Sequence, residues 1–350
     1  MAEIIGTNGD DTINGTDEGD LIRGLDGNDT ISSGGTSGQP GETFETVYGG
    51  NGDDRIFGYT DYALNLYGDD GNDYIYGEGN GLPDIYLNGG SGNDILRVGK
   101  GNAHLDGGAG ADEMFGGTGH NTYIVDNIGD VVTDGGGHDA IRLMLDAESN
   151  LTVDLSSAMF RGSIETIFAQ TSEGATLTVL GDGSDNIISG HGLNAQFFGR
   201  GGDDWLSGGI TDPPTNNLLD GGTGADYMDG RLGNDTYVVD NSGDVVDESF
   251  PYSNGVDKIQ SWIGLSLSNI DRVKGDVENI SLRGSANINS SGNHLDNSMA
   301  GNIGNNRLSG LHGKDILNGL AGDDTLSGGL HNDRMIGGLG KDIFVFDTYA

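Results

Sequence analysis

At 350 residues the chain has room for two ordinary domains, yet it is only 34% hydrophobic, with 67 Gly, 5 Pro and a formal net charge of −39. That balance excludes a large globular core, and on an unordered chain it would signal disorder. Cysteine is absent, which excludes disulfides and thiol chemistry. No apolar run reaches membrane-spanning length, and 16 Lys and Arg are too few for a nucleic-acid surface.

The first residues, "MAEIIGTNGDDTING", carry neither the basic nor the apolar region of a classical signal peptide. They open a period of nine instead, G-x-x-G-x-D-x-U-x, where U is a large apolar residue. Asp11, Asp20 and Asp29 hold the acidic place, each followed two residues later by Ile13, Ile22 or Ile31. Such regularity in register argues for a folded repeat and against a disordered tail.

Further along, intact loops carry Asp54, Asp73, Asp94 and Asp112. The units between them, "LNLYG" at 64–68, "IYLNGG" at 85–90 and "AHLDGG" at 103–108, keep the strand and lose the acid. Ile85 and Ala103 stand where Asp would be, so this stretch is expected to hold cations on one side only. Tyr67, Tyr74, Tyr76 and Tyr86 are expected to cluster on adjacent strands around Ile75, as a platform for sugar rings or a partner.

A longer duplication overlies the short one. Residues 107–132 match 221–246 at an offset of 114, and each copy is followed by an alternating apolar stretch and then by "SIETI" or "DVENI". The expected organisation is a repeat block at 1–132, a wider β-coil at 133–180, a second block at 181–246, a second wider coil at 247–285 and a last block at 286–350. The wider coils are read from Leu143, Leu145, Ile259, Trp262 and Leu265, whose alternation suits half-buried strands, with separate small inserted subdomains as the alternative.

The second block carries Asp204 and Asp226 on one side, and Asp235 returns an acid to the other. Asn186, Asn297 and Asn306 replace Asp where the repeats resume and imply weaker or empty sites. The last block has Asp315, Asp324, Asp333 and Asp342, nine apart, followed by Leu317, Leu326, Met335 and Phe344.

Each residue type in the unit has a physical reason. Tight turns need positive φ and close backbone approach, which glycine adopts without strain. Three residues of strand bury nothing alone. Stacked about 4.8 Å apart, they hydrogen-bond to their neighbours and align the U side chains into one thin core. If successive units alternate between two sides, stacked loops set carboxylates about 5 Å apart, where each pair repels by about 3 kcal/mol at an effective dielectric near 20. A cation between loops reverses that sign. Carboxylates and carbonyls at adaptable distances suit calcium better than magnesium, which demands stricter geometry and keeps its waters. The chain is therefore expected to be an all-β, parallel solenoid for which multiple calcium ions are folding switch and staple.

The nonapeptide resembles the RTX, or hemolysin-type calcium-binding, repeat, and the resemblance covers most of the chain. It implies a right-handed parallel β-roll with calcium between loops and the sixth-place aspartates as side-chain ligands. In the Asp53-Asp54 doublet, Asp54 would be the ligand, while Asp53 would offer its carbonyl and face water. The resemblance further implies an extracellular protein, exported by a type I system of a Gram-negative bacterium.

No HExxH pair, G-x-S-x-G elbow or phosphate-binding loop occurs, and acid pairs are too common to mark a catalytic dyad. The expected function is calcium binding without catalysis. The alternatives are the accessory part of an extracellular epimerase, lipase or protease, and a polysaccharide- or cell-surface-binding adhesin. The last unit, "GGLGKDIFV" at 337–345, is followed only by "FDTYA", so a truncated form or end-to-end pairing through an uncovered edge is expected, with a monomer as the alternative.

Overall fold

The computed structural model describes residues 2–16, 19–35, 44–60, 63–79, 85–145, 151–171, 176–191, 194–209, 214–251 and 255–346. Among them there is no helix, and the registered strand pairs are all parallel. The chain divides into two compact units, 1–146 with 154–171, and 147–153 with 172–350. Each is a parallel β-solenoid.

In the first unit the chain alternates between two sheets, so strands adjacent in a sheet are two apart in sequence. One sheet runs through Glu3–Ile5, Leu21–Asp26, Glu45–Asn51, Leu64–Asp70, Ile85–Ser91, Ala103–Ala109, Asn121–Val125, Ala140–Leu145 and Thr166–Thr171. The other runs through Thr12–Asn14, Thr30–Gly35, Arg55–Thr60, Tyr74–Gly79, Ile95–Val98, Glu113–Gly117, Val131–Asp134 and Phe160–Arg161.

The second unit repeats the plan. Ten strands, Leu151–Asp154 followed by nine from Thr176–Leu180 to Arg334–Ile336, form one sheet. Ile187–His191 to Val273–Gly275 lie in a second, and Leu265–Ser266 to Ile343–Val345 in a third.

Alternation decides what each strand buries, since successive side chains point to opposite faces. Ile22, Val47, Leu66, Leu87, Leu105, Tyr123 and Ile141 pair register to register and are all buried. The opposite row of Ile31, Ile56, Ile75, Leu96, Met114 and Val132 closes the core. In the second unit Phe197, Leu219, Tyr237, Ile259, Ile280, Met299 and Leu317 form the corresponding row. The core is one side chain deep per coil, as the low hydrophobic content requires. At the C-terminal end of the described chain it opens: Met335 is half-buried, and Ile343, Phe344 and Phe346 are exposed.

The alternating stretches continue the sheets in register. Ala140–Leu145 pairs with Asn121–Val125 and Thr166–Thr171, and Lys258–Ser261 with Thr236–Val239 and Asn279–Leu282. Leu143, Leu145, Ile259 and Leu265 are buried there, while Trp262 is 53% exposed.

The tyrosines do not form one cluster. On one sheet Tyr48 and Tyr67 stack with ring centroids 4.8 Å apart, and Tyr86 meets Tyr67 at a tilt, 5.7 Å away. Tyr74 and Tyr76 lie on the other, against Phe57 and Tyr59. Consecutive strands belong to different sheets, so closeness in sequence separated these rings.

Candidate metal centre

The acids stand at the corners where loop becomes strand. In the first unit Asp11, Asp29, Asp54, Asp73, Asp94 and Asp112 fall into one row, and Asp130 extends it. Each carboxylate uses Oδ1 to accept the backbone N–H of the preceding acid in the row. Asp54 N–H donates to Asp73 at 2.7 Å, Asp73 N–H to Asp94 at 2.7 Å, and Asp94 N–H to Asp112 at 2.8 Å. That half of the carboxylate does the work of a sheet hydrogen bond where the chain turns.

The other half is unmet. Oδ2 of Asp29, Asp54, Asp73, Asp94 and Asp112 is buried and has no hydrogen-bond partner. An ionised oxygen out of water with no donor is among the costliest arrangements in a protein. Burial accordingly pushes these acids upward, to about 6 for Asp54 and Asp94 and about 7 for Asp73 and Asp112.

At Asp29, Asp54, Asp73 and Asp94 the bare oxygen converges with a carbonyl oxygen of the next coil. A methyl group placed on Gly68 would overlap both Asp73 Oδ2 and the Gly89 carbonyl of the next coil. The same holds at Gly24 with Asp29 and Gly49, and at Gly89 with Asp94 and Gly107. A carboxylate oxygen and a carbonyl oxygen thus converge over a glycine α-carbon that has room for nothing else. Hard oxygen donors without a proton between them form a donor set for a calcium-like cation.

The second unit carries the same corner. Asn186 N–H donates to Asp204, Asp204 N–H to Asp226 and Asp226 N–H to Asp244. A second row runs Asn217, Asp235, Asp257 and Glu278, then Asn297, Asp315 and Asp333. A third joins Asn306, Asp324 and Asp342. Oδ2 of Asp204, Asp226, Asp235, Asp315 and Asp324 is buried without a partner. Asp333 and Asp342 are half-buried at the open end.

Not all the acids are equivalent. Thr7 and Thr16 donate backbone and hydroxyl groups to Oδ2 of Asp11 and Asp20, so these two already have donors on the second oxygen. Asp20 stands in the other row, next to Glu45, which the nonapeptide pattern does not reveal. Glu45 is buried, pushed up to about 7 by that burial, and its Oε1 has no partner. That row continues through Leu64, Ile85 and Ala103, which pair in register and bury alkyl groups at the acid's place. It becomes polar again at Asn121 and Asp139.

Asp130 and Asp244 keep the 18-residue spacing from Asp112 and Asp226 but lack the loop glycines, and they end their rows differently. Oδ2 of Asp130 accepts the N–H groups of Asp126 and Asn127, and Oδ2 of Asp244 those of Asp240 and Asn241. A shared "DNxGDVV" stretch, outside the glycine pattern, is the sequence signal that marks both.

Asn substitutions close the corner without an ion. Asn297 Oδ1 accepts Asn293 N–H while its Nδ2 donates to the Glu278 carbonyl at 3.1 Å. Asn306 likewise accepts from Asn302 and donates to Ile288 at 2.8 Å.

Asp53 does more than face water. Its Oδ1 accepts the N–H of Asn72 at 2.8 Å, within an outer row in which Asp10, Asn28, Asn72 and Asn93 serve their next coils in the same way.

The model of the RTX calcium-binding nonapeptide repeat, in its four-copy form, matches residues 5–38, 41–61, 65–80, 88–123, 215–245, 291–322 and 313–344, together more than half of the chain. No curated protein matches the chain.

Two substitutions test the corner. Gly68→Ala is expected to weaken calcium-induced folding, because the methyl group displaces Asp73 Oδ2 and the Gly89 carbonyl. Gly9→Ala, where a methyl group meets nothing within 4 Å, is expected to leave it unchanged. Circular dichroism during calcium titration distinguishes them, and equal midpoints would refute the convergence. Asp54→Asn keeps an acceptor for Asp29 N–H and removes the charge; Asp53→Asn keeps an acceptor for Asn72 N–H and copies the Asn of neighbouring coils. The first is expected to raise the calcium needed for half-folding severalfold, the second to shift it little.

Proposed function

Because the chain belongs to the RTX calcium-binding nonapeptide repeat family, we propose that it is a secreted protein whose solenoid folds when calcium fills the loop corners outside the cell. The observation that carries this reading is the repeated, buried and partnerless Oδ2 facing a carbonyl of the next coil. Asp29, Asp54, Asp73, Asp94 and Asp112 would hold ions in the first unit, with Asp204, Asp226, Asp235, Asp315 and Asp324 in the second. Asp333 and Asp342 would contribute at the open end, and Asp11 and Asp20 would do so where an ion replaces the Thr7 and Thr16 donors on their second oxygen. Carbonyls such as those of Gly49, Gly89 and Gly107 would complete the donor sets. Bound calcium supplies the positive charge that the rows lack.

Binding to the folded state alone stabilises it by RT ln(1 + [Ca]/Kd) for each independent site. Ten weak corners therefore add up at millimolar calcium and contribute nothing at the submicromolar level of a cytoplasm. That difference suits export of an unfolded chain followed by folding outside, and the acidic composition keeps the unfolded chain soluble meanwhile.

Chelated protein at neutral pH and low salt is expected to show a coil-like circular dichroism spectrum that becomes β-rich in millimolar calcium, with magnesium much less effective. A compact β-rich state surviving in excess chelator would overturn the reading.

The pH response of the calcium-free chain follows from the same corners. Burial raises Asp54, Asp73, Asp94, Asp112, Asp204 and Asp226 to about 6–7 from 3.8. The fold then favours their protonated forms, a contribution present in full below about pH 4 and lost as pH rises through 6–7. In chelator, β-structure is expected to be greater at about pH 5 than at about pH 8. With calcium the trend reverses, because protons compete with the ion. Circular dichroism at both pH values, with and without calcium, reads both signs.

A further inference from the structure

The second unit holds a group of acids that the repeat alone does not build. Asp235 and Asp257 stand at the starts of neighbouring strands, Thr236–Val239 and Lys258–Ser261, which pair at Thr236 and Lys258. Glu248 comes from another sheet, at the end of Val245–Glu248, and it occupies no nonapeptide acid position. Each of the three offers a carboxylate oxygen, these oxygens all lie within 4.8 Å of one another, and all three residues are buried.

Two details separate this group from a chance gathering of acids. Asp235 is 1% exposed, and its Oδ2 has no hydrogen-bond partner although Oδ1 accepts Asn217 N–H. That oxygen is aimed inward: a methyl group on Gly230 would overlap both Asp235 Oδ2 and the hydroxyl of Tyr237. Tyr237 is itself fully buried and donates its hydroxyl to Glu248 Oε1, which orients the strand carboxylate toward the pair.

The duplication supplies a comparison within one chain. At the offset of 114, Asn121 stands for Asp235, Tyr123 for Tyr237 and Asp134 for Glu248. There Tyr123 donates to Asp134 Oδ1 at 3.2 Å, and Gly136 N–H occupies Asp134 Oδ2 at 2.7 Å. The first copy therefore has one acid fewer, and its strand carboxylate is taken up by a backbone amide. The second copy has an additional charge, Asp235, whose Oδ2 has no hydrogen-bond partner.

We propose that Asp235 and Asp257 of the second loop row, joined by Glu248 from a strand, form a divalent-cation site of the calcium class that fills before the other corners. The inference rests on the calcium-binding reading of the repeats and adds to it a third carboxylate reaching in from a strand. Affinity in oxygen sites rises with the number of charged ligands and with rigidity. A loop corner offers a carboxylate oxygen and carbonyls, whereas this site offers three carboxylates, one of them held by a buried phenol. An ion here ties three consecutive strands of the second unit together and gives folding a starting point.

The test uses the full chain. Calcium is titrated against a chromophoric chelator competitor, and terbium against tyrosine-sensitised luminescence, in the wild type and in Glu248→Gln, which keeps shape and an acceptor for Tyr237. The expected result is loss or weakening of the tightest class by at least the roughly 10–100-fold that loss of a supporting partner costs a metal site. The weaker classes and the calcium-induced circular dichroism change are expected to remain. An unchanged tightest class in Glu248→Gln would overturn the proposal. If that variant does not fold, Tyr237→Phe decides: it keeps all three carboxylates and is expected to remove the earliest phase of terbium luminescence, and persistence of that phase would overturn the proposal. Failure of the wild type to bind calcium at all would instead refute the reading of the repeats, so the two failures are distinguishable.

Discussion

Everything in this molecule depends on a row of buried acids of which half is satisfied and half is not. One carboxylate oxygen accepts a backbone amide from the neighbouring coil and fixes the stacking register. The other meets only a carbonyl. A neutral residue could supply the first function, and Asn217 does so for the N–H of Ala195. The second makes sense only if positive charge enters from outside, because a column of bare oxygens about 5 Å apart repels itself by several kcal/mol per contact.

Three kinds of corner express this constraint differently along the chain. Where Gly, Asp and a facing carbonyl coincide, the corner requires a cation or a proton. At Asn297 and Asn306 the amide group takes over, accepting with one atom and donating with the other, so the coil closes on its own. At Leu64, Ile85 and Ala103 the corner is apolar and closes by packing. The solenoid is thus a mixture of corners that leave a buried acceptor unmet and corners that close on their own, and the latter lie within the same columns as the acids. Asp130 and Asp244 end a row by turning the second oxygen onto the local turn amides.

Backbone conformation shows how firmly the loops are set. Leu25, Asp69, Arg200, Leu311 and Leu320 occupy the position filled elsewhere by a second glycine, and each has positive φ between 73° and 90°. His331 sits in the left-handed region at a different loop position, with φ 84°. Side chains rarely adopt this conformation, and stacking imposes it because a turn of another shape would break the register of the coils above and below. The outer row of Asn and Asp side chains serves the same end, receiving turn amides that no strand reaches.

The period of nine was enough to determine the parallel all-β solenoid, the inward rows from Ile22 and Ile31 onward, the acidic places and the acid-free side at Ile85 and Ala103. These features are local, since glycine, acid and apolar residue fall within one unit. What the sequence could not determine is which units become neighbours. Asp29 meets Asp54 across 25 residues, Asp54 meets Asp73 across 19 and Asp73 meets Asp94 across 21, so insertions between coils hide the register. For that reason Glu45 and Asp257 joined rows that their own spacing does not announce. Four tyrosines close in sequence parted onto two sheets because consecutive strands never share one. Glu248 reached Asp235 only through the closing of a coil. Local pattern chose the conformation of each turn, and stacking, acting over distances the pattern does not contain, chose which charges would face each other.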